Sequence, residues 1–428
     1  LLERVQRSWK VLVSAPKPDA PPTLQPGQID VKTLIAHHDA AKHAEIADAY
    51  FEPLLNDPVL RRKPFAHFGE SVQIMASLAQ VLEGMHLFPQ AAVLDFGAGT
   101  CWSSRILASL GCRVTALDVS KNALKIGRSL HEQDPLTKNL PIDFRVFDGR
   151  SIPAEDASFD RILSFDAFHH AADQAALVRE FSRVLADDGI AGFAEPGPFH
   201  SLTPSSQMEM RSYNVIENDI RVEEIWNVAR ACGFADIRLS FTMPYQELLP
   251  LEDFNRILAT KSAPDDIVFS PGNILMHKNR RVFFLYKSAT MEKDSRFAGG
   301  TEGLRYAMQL RDVAPEAAGT VRLVLAIENI GKSTWRPSGT APGCVNIGVH
   351  LRAADGNMVD NDFTRLSVST DRVRPGETRE VSASLRLPDL EDFIVELDLV
   401  AENVTWFELK GTTPLKLAFR NRRHVAQQ

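Results

Sequence analysis

The stretch VLDFGAGTCW, residues 93–102, decides the fold. Val93 to Phe96 belong to a buried-strand pattern, AAVLDFG (91–97), and TCWSSRILASLG (100–111) has the spacing of a helix that stops at Gly111. Between them stand Gly97 and Gly99. Lacking a Cβ, they let the backbone turn sharply and a ligand approach closely. The N-terminus of the following helix offers free N–H groups to an anion. Outward from this unit the alternation repeats. Apolar strands are read at RVTALDV (113–119), IDFRVFD (142–148), FDRILSFDAF (159–168), GIAGFAE (189–195), ADIRLSFT (235–242) and RVFFLYKS (281–288), with amphipathic helices between most of them. Such alternation implies a mostly parallel sheet with helices on both faces. The expected fold is α/β, a doubly wound, Rossmann-like, seven-stranded core.

Flanking composition sets the domain plan. Residues 1–29, with the proline-rich SAPKPDAPPTLQPGQ (14–28), read as an extended arm or linker. Residues 30–290 read as the α/β domain with an N-terminal helical segment and a helical insertion near Pro250–Leu258. A short helical bridge follows Ser288. In 291–428 the pattern changes to TVRLVLAIENIG, CVNIGVHLRAADG, TREVSASLRLP and FIVELDLVAENVTWFELKG, alternating apolar and polar residues between Gly, Pro, Asp and Asn. That is the pattern of an all-β sandwich. Arg420, Arg422 and Arg423 read as a solvated tail. The net charge of -7 gives no bulk attraction to nucleic acid. Four scattered cysteines without a Cys-x-x-Cys pair exclude a zinc ribbon and fit free thiols. No apolar run could span a bilayer, and LLERVQRSWKVLV has no signal-peptide core, so a cytoplasmic protein is expected.

The glycine turn alone fits either a dinucleotide or another adenosine cofactor. The dinucleotide fingerprint needs Gly or Ala at its sixth position, where this chain has Trp102. Asp118 ends the second strand, placed to hold a ribose diol, and Asp148 follows the third, placed to accept from an adenine amine. On these residues, from Ala91 to Pro198, the sequence resembles the class I S-adenosylmethionine (SAM)-dependent methyltransferases. The resemblance implies that Asp95, Gly97, Gly99 and Thr100 form the loop under the methionine part of SAM. It implies that Asp118 and Val119 meet the ribose, that Asp148 and Gly149 meet the adenine, and that Phe165 and Asp166 lie near the sulfonium. Cys101 departs from the family pattern, which often has a third glycine there; it puts a side chain near the methionine moiety and reads as a small buried filler ahead of a reactive thiol.

Methyl transfer needs alignment of nucleophile, methyl and sulfur, and an alcohol acceptor must also lose a proton. Candidate groups sit after the fourth and fifth strands. His169 and His170, expected to point in different directions, are candidate bases, because an imidazole titrates near neutrality. Glu195 ends a buried strand and needs a partner there. The polar run HSLTPSSQMEMRSYNVIENDI (200–220) suits a hydroxyl-rich acceptor, with His200, Gln207 and Glu209 as candidate substrate contacts. A metal site from Asp166, Glu195 and His170 is not expected, since their spacing is not diagnostic.

NIGKSTWRPSG, VRPGET and DLVAENVTWFELKG resemble, over Gln309 to Phe419, small sandwich domains appended to bacterial surface-polysaccharide enzymes. That resemblance implies a carbohydrate or enzyme contact through the C-terminal domain, with Trp335, Trp406 and Phe407 read as sandwich core ahead of a sugar platform. The function expected is O-methylation of a sugar or glycan precursor. The alternatives are a methyltransferase acting on another small molecule, a non-catalytic binding module of the same fold, and a nicotinamide-dependent oxidoreductase.

Overall fold

The computed structural model describes residues 22–56, 62–66, 68–241, 250–260, 271–289, 294–297, 302–316 and 319–425. The arm expected at 1–29 lies outside these up to residue 21, as do Thr242 and most of the bridge expected after Ser288. The chain forms two compact units, one of Leu1–Met85 with Ala91–Ala289, the other of His86–Gln90 with Thr290–Gln428.

In the first unit three helices precede the sheet: α1 (Val31–His37), α2 (Ala40–Phe51) and α3 (Phe68–Gly84). Asp30 and Asp39 cap the first two through their carboxylates. The core then runs β1 (Ala92–Phe96), α4 (Trp102–Ser109), β2 (Arg113–Asp118), α5 (Lys121–Gln133), β3 (Ile142–Val146), β4 (Phe159–Phe165), α6 (Gln174–Val184) and β5 (Leu185–Pro196). After it come α7 (Pro204–Tyr213), α8 (Val222–Ala231), β6 (Asp236–Leu239), α9 (Leu251–Thr260), α10 (Pro271–Asn279) and β7 (Arg280–Tyr286). The sheet order is β3-β2-β1-β4-β5-β7-β6, parallel except that β7 runs antiparallel to both β5 and β6. Strands β1, β2, β4 and β5 are buried along most of their length, which is why they read as apolar runs. Leu94, Ile162, Phe193 and Phe283 are fully buried in one core, with Phe193 and Phe283 stacked 4.4 Å apart. Each such side chain contributes roughly 1.5–3 kcal/mol by leaving water. No described helix is long and apolar enough to cross a membrane.

The second unit holds two antiparallel sheets. One has β8 (Tyr306–Pro315), β9 (Thr320–Asn329) and β12 (Thr378–Arg386). The other has β10 (Val345–Ala353), β11 (Met358–Ser367), β13 (Phe393–Ala401), β14 (Thr405–Trp406), β15 (Leu415–Arg420) and β16 (Arg423–Val425). Leu323, Leu325 and Leu385 from the first sheet share a core with Ile347, Leu397 and Phe419 from the second, and Trp335 and Phe407 are fully buried in it. The arginine-rich end is not a free tail. Asn421 and Arg422 take left-handed conformations, and that turn folds β16 back onto β15.

Candidate active site

The chain winds outward from β1 through β2 to β3, then crosses back to β4 on the other side of β1. Such a switch point leaves a crevice at the carboxyl ends of the strands. Here it is a cavity of about 990 Å³. Gly97, Gly99, Thr100, Asp118, Val119, Gly149, Phe165, Asp166, His169, His170, His200 and Glu209 all line it. So do Tyr50 and Phe51 of α2, which the sequence reading assigned only to a helix.

The turn after β1 is as tight as its glycines permit. The N–H groups of Gly97 and Ala98 both donate to Leu117 O, at 2.8 and 3.1 Å. Gly97 has φ +65°, and a Cβ there would lie 2.3 Å from that of Ala167. Gly99 has φ +52°, and its missing Cβ would meet nothing closer than Phe51 Cζ at 3.9 Å. The backbone is therefore bare toward the cavity, the cradle that a close-lying ligand needs. Asp118 accepts from Gly99 N and Ser120 N, both at 2.8 Å. These bonds use part of its acceptor capacity, and the rest remains for cavity hydroxyls. Burial pushes its pKa up to about 6, against the hydrogen bonds from Ser120 and Gly99. Ser120, not Asp118, caps α5.

Four residues singled out in the sequence have partners within the protein. Asp95 is 1% exposed and accepts from the hydroxyls of Ser103 (2.7 Å) and Ser104 (2.5 Å). It bolts β1 to the first turn of α4. Asp148 turns onto its own loop, accepting from Arg150 N (2.8 Å) and Ser151 N (2.9 Å), and Phe147 and Gly149 line the cavity beside it. Cys101, at φ +56°, is fully buried against Gly127 of α5, away from the cavity. Gln207 is buried and ties down the chain around it, bonding Ile29 N, Ile29 O and Ser201 O.

On the acceptor side, Glu195 is fully buried at the end of β5. It accepts from Ser164 Oγ (2.9 Å), Ala167 N (3.1 Å), Phe168 N (2.9 Å) and His169 Nδ1 (2.8 Å). With its oxygens so occupied, it orients His169 and has no reach to a substrate. The bond fixes the proton on Nδ1 and leaves the Nε2 lone pair for the cavity. Burial opposes charge on His169, but the hydrogen bond and charge of Glu195 outweigh it and raise its pKa. His170 does not point away from His169: their rings lie 3.9 Å apart on one short 3-10 turn. His170 Nδ1 donates to Ile216 O at 2.7 Å. Burial, then the charge of His169, lower its pKa to about 4.

Two residues outside the expected set complete the site. Glu217 accepts from His200 Nε2 at 2.7 Å and lies 3.5 Å from His170 Nδ1. Burial works against its ionisation, yet His200, His170 and His169 together pull its pKa well below the usual carboxylate range. One ligand atom each from His169, His170 and Glu217 lie within 4.8 Å of one another. They already form a hydrogen-bonded acid–base network with His200 and Glu195, and we read them as that. Arg280, the first residue of β7, pairs with Asp166 at 2.9 Å and lies over Phe165. Burial of Asp166 is outweighed by Arg280 and Lys63, so it stays charged, in a left-handed conformation at φ +50°. The polar run 200–220 signalled Glu217 only collectively, and Arg280 carried no sequence signal.

A doubly wound sheet with a bare glycine turn at its switch point and an acid after the second strand defines a domain built for an adenosine-bearing cofactor. Residues 94–193 match the family model for a methyltransferase domain. Over those residues the chain is similar to a methyltransferase domain, and SAM is its cofactor. Among known proteins, it is 33% identical over 127 residues to the sarcosine/dimethylglycine N-methyltransferase of Halorhodospira halochloris, covering 29% of this chain and 43% of that one. It is 33% identical over 102 residues to the ubiquinone biosynthesis O-methyltransferase of Xanthomonas campestris pv. campestris, covering 24% and 41%. The chain therefore spans less than half the length of these relatives. Haemonchus contortus phosphoethanolamine N-methyltransferase 2, solved with S-adenosyl-L-methionine, aligns at 20% identity and a TM-score of 0.37, covering 61% of this chain and 60% of that one.

Proposed function

We propose that this protein transfers a methyl group to a hydroxyl of a small polar acceptor, a sugar or glycan precursor, with His169 as general base. SAM supplies the electrophilic methyl when bound. Gly97, Gly99 and Thr100 receive its amino-acid end, Asp118 and Val119 its ribose, and Phe147 and Gly149 border its base. Phe165 and Asp166 flank the reacting end. His169 takes the acceptor proton on Nε2 while Glu195 holds Nδ1–H and stabilises the imidazolium that forms. Glu195 is a positioning residue. The observation that carries this reading is the 2.8 Å His169–Glu195 bond at the wall of the cavity. His200, Glu209, Glu217 and Tyr50 make the remaining wall polar, which supports a hydroxyl-rich acceptor. The resemblance of the C-terminal unit supports a glycan context, with that unit as an accessory module, and a cytoplasmic location suits nucleotide-sugar acceptors.

The test is methyl transfer from labelled SAM to a panel of nucleotide sugars, lipid-linked glycans and small amines. His169→Ala should lower turnover by about 10²–10⁴-fold with SAM affinity retained. Activity only on amines would replace the hydroxyl reading, and binding without transfer to any acceptor would favour a non-catalytic module. Because the base must be unprotonated, the rate should rise with pH through the raised pKa of His169. Glu195→Gln should move that limb to lower pH as well as slow the reaction. An unmoved limb would show that His169 is not the base.

A further inference from the structure

The C-terminal unit holds a second polar cluster that the methyltransferase reading does not use. His350 lies on β10, Asp398 on β13 and Glu408 at the start of a 3-10 turn after β14. His350 is 1% exposed, and its Nδ1 donates to Asn361 O at 2.5 Å. The proton is thus fixed on Nδ1 and the lone pair on Nε2. That Nε2 is buried and has no hydrogen-bond partner among the described residues, with Glu408 Oε1 3.8 Å away, beyond hydrogen-bond reach. Asp398 is fully buried and accepts from Tyr306 Oη (2.8 Å) and Glu408 N (2.9 Å). One ligand atom from each of His350, Asp398 and Glu408 lie within 4.8 Å of one another.

Two buried electron-pair donors therefore meet a third at the edge of the interior, where lone pairs facing one another are costly without a positive charge between them. We propose that His350, Asp398 and Glu408 form a divalent metal site of the zinc type. One neutral imidazole and two carboxylates would make the occupied site electrically neutral. An imidazole ligand selects against magnesium and calcium, which take oxygen. Zinc bonds of about 2.1 Å hold tetrahedral ligands roughly 3.4 Å apart, so modest contraction closes the set. Glu408, 37% exposed on its side chain, has the freedom to supply it and leaves a fourth position open to water. The Nδ1–H bond to Asn361 orients the imidazole as outer-shell partners of metal-bound histidines do.

Occupancy would fasten β10, β13 and the turn that follows Trp406. The Trp406 ring lies 4.1 Å from that of His350, with the Arg365 guanidinium 4.8 Å over it. Gly348 makes the room, since a Cβ there would come within 2.2 Å of the indole. Metal binding would hold this partly exposed indole in place.

The experiment uses the full chain, stripped with a chelator and titrated calorimetrically with zinc chloride alone. It is run in a His169→Ala/His170→Ala background so that the other histidine cluster contributes nothing. One equivalent of zinc should bind and raise the melting temperature. Glu408→Ala, a partly exposed position, should weaken binding at least tenfold, and His350→Gln should abolish it. Absence of zinc binding in that background overturns the proposal. So does unchanged affinity in a folded Glu408→Ala or His350→Gln variant. Neither result bears on methyl transfer.

Discussion

Gly127→Ala should destabilise the cofactor loop although it improves the helix that carries it. Gly127 sits inside α5, where alanine is favoured by about 1 kcal/mol on helix propensity. The added Cβ would lie 2.4 Å from Cys101 Sγ, 2.8 Å from Cys101 Cβ and 3.1 Å from the Thr100 carbonyl carbon. Cys101 cannot swing aside, being fully buried with its N–H bonded to Ala98 O at 2.8 Å. Overpacking of this kind costs about 1–3 kcal/mol, so the net effect is a loss of up to about 2 kcal/mol and weaker SAM binding. Cys101→Gly tests the cause. It relieves the left-handed strain at φ +56°, worth about 1 kcal/mol, and gives up a similar amount of buried thiol. The new methyl at 127 then fills the space left by the sulfur. The double variant should return to within about 1 kcal/mol of the parent, a coupling of about 2 kcal/mol. Urea unfolding of the full chain measures this, read at the transition that S-adenosylhomocysteine shifts. Additive effects would refute the packing argument, as would a stabilising Gly127→Ala.

Asp95→Ala strands the buried hydroxyls of Ser103 and Ser104 and should cost about 2–4 kcal/mol by the same unfolding measurement, whereas Asp95→Asn, which keeps an acceptor, should cost less. SAM affinity should fall as pH drops through about 6, because protonating Asp118 removes acceptors that the ribose hydroxyls need. Calorimetry between pH 5 and 8 checks this, and a flat profile would move the ribose elsewhere. Arg280→Ala takes away the ion-pair partner of Asp166 at the cavity wall and lets burial oppose its charge, so turnover should drop by tenfold or more. Steady-state kinetics at saturating SAM would show it.

The inner parallel strands β1, β2, β4 and β5 were legible because they are buried along most of their length and so spell apolar runs. The turn at Gly97 was legible because only glycine tolerates it beside Ala167. What the sequence hid depends on partners distant along the chain. Asp95, Asp118 and Asp148 look alike at strand ends, yet only Asp118 faces the cavity. The others are claimed by Ser103 and Ser104 and by the loop after Asp148. Gln207 and Glu217 sit in one polar run, but Gln207 braces Ile29 while Glu217 joins the histidines. His350 reads as one residue of a strand, and its lone pair becomes notable only when Asp398 and Glu408 fold against it.

The most direct test is calorimetric titration of the full chain with S-adenosylhomocysteine, for the parent and for Asp118→Ala. The account predicts one site in the parent and at least tenfold weaker binding in the variant, with both proteins folded. Equal affinity in the two, or no heat from the folded parent, would contradict it.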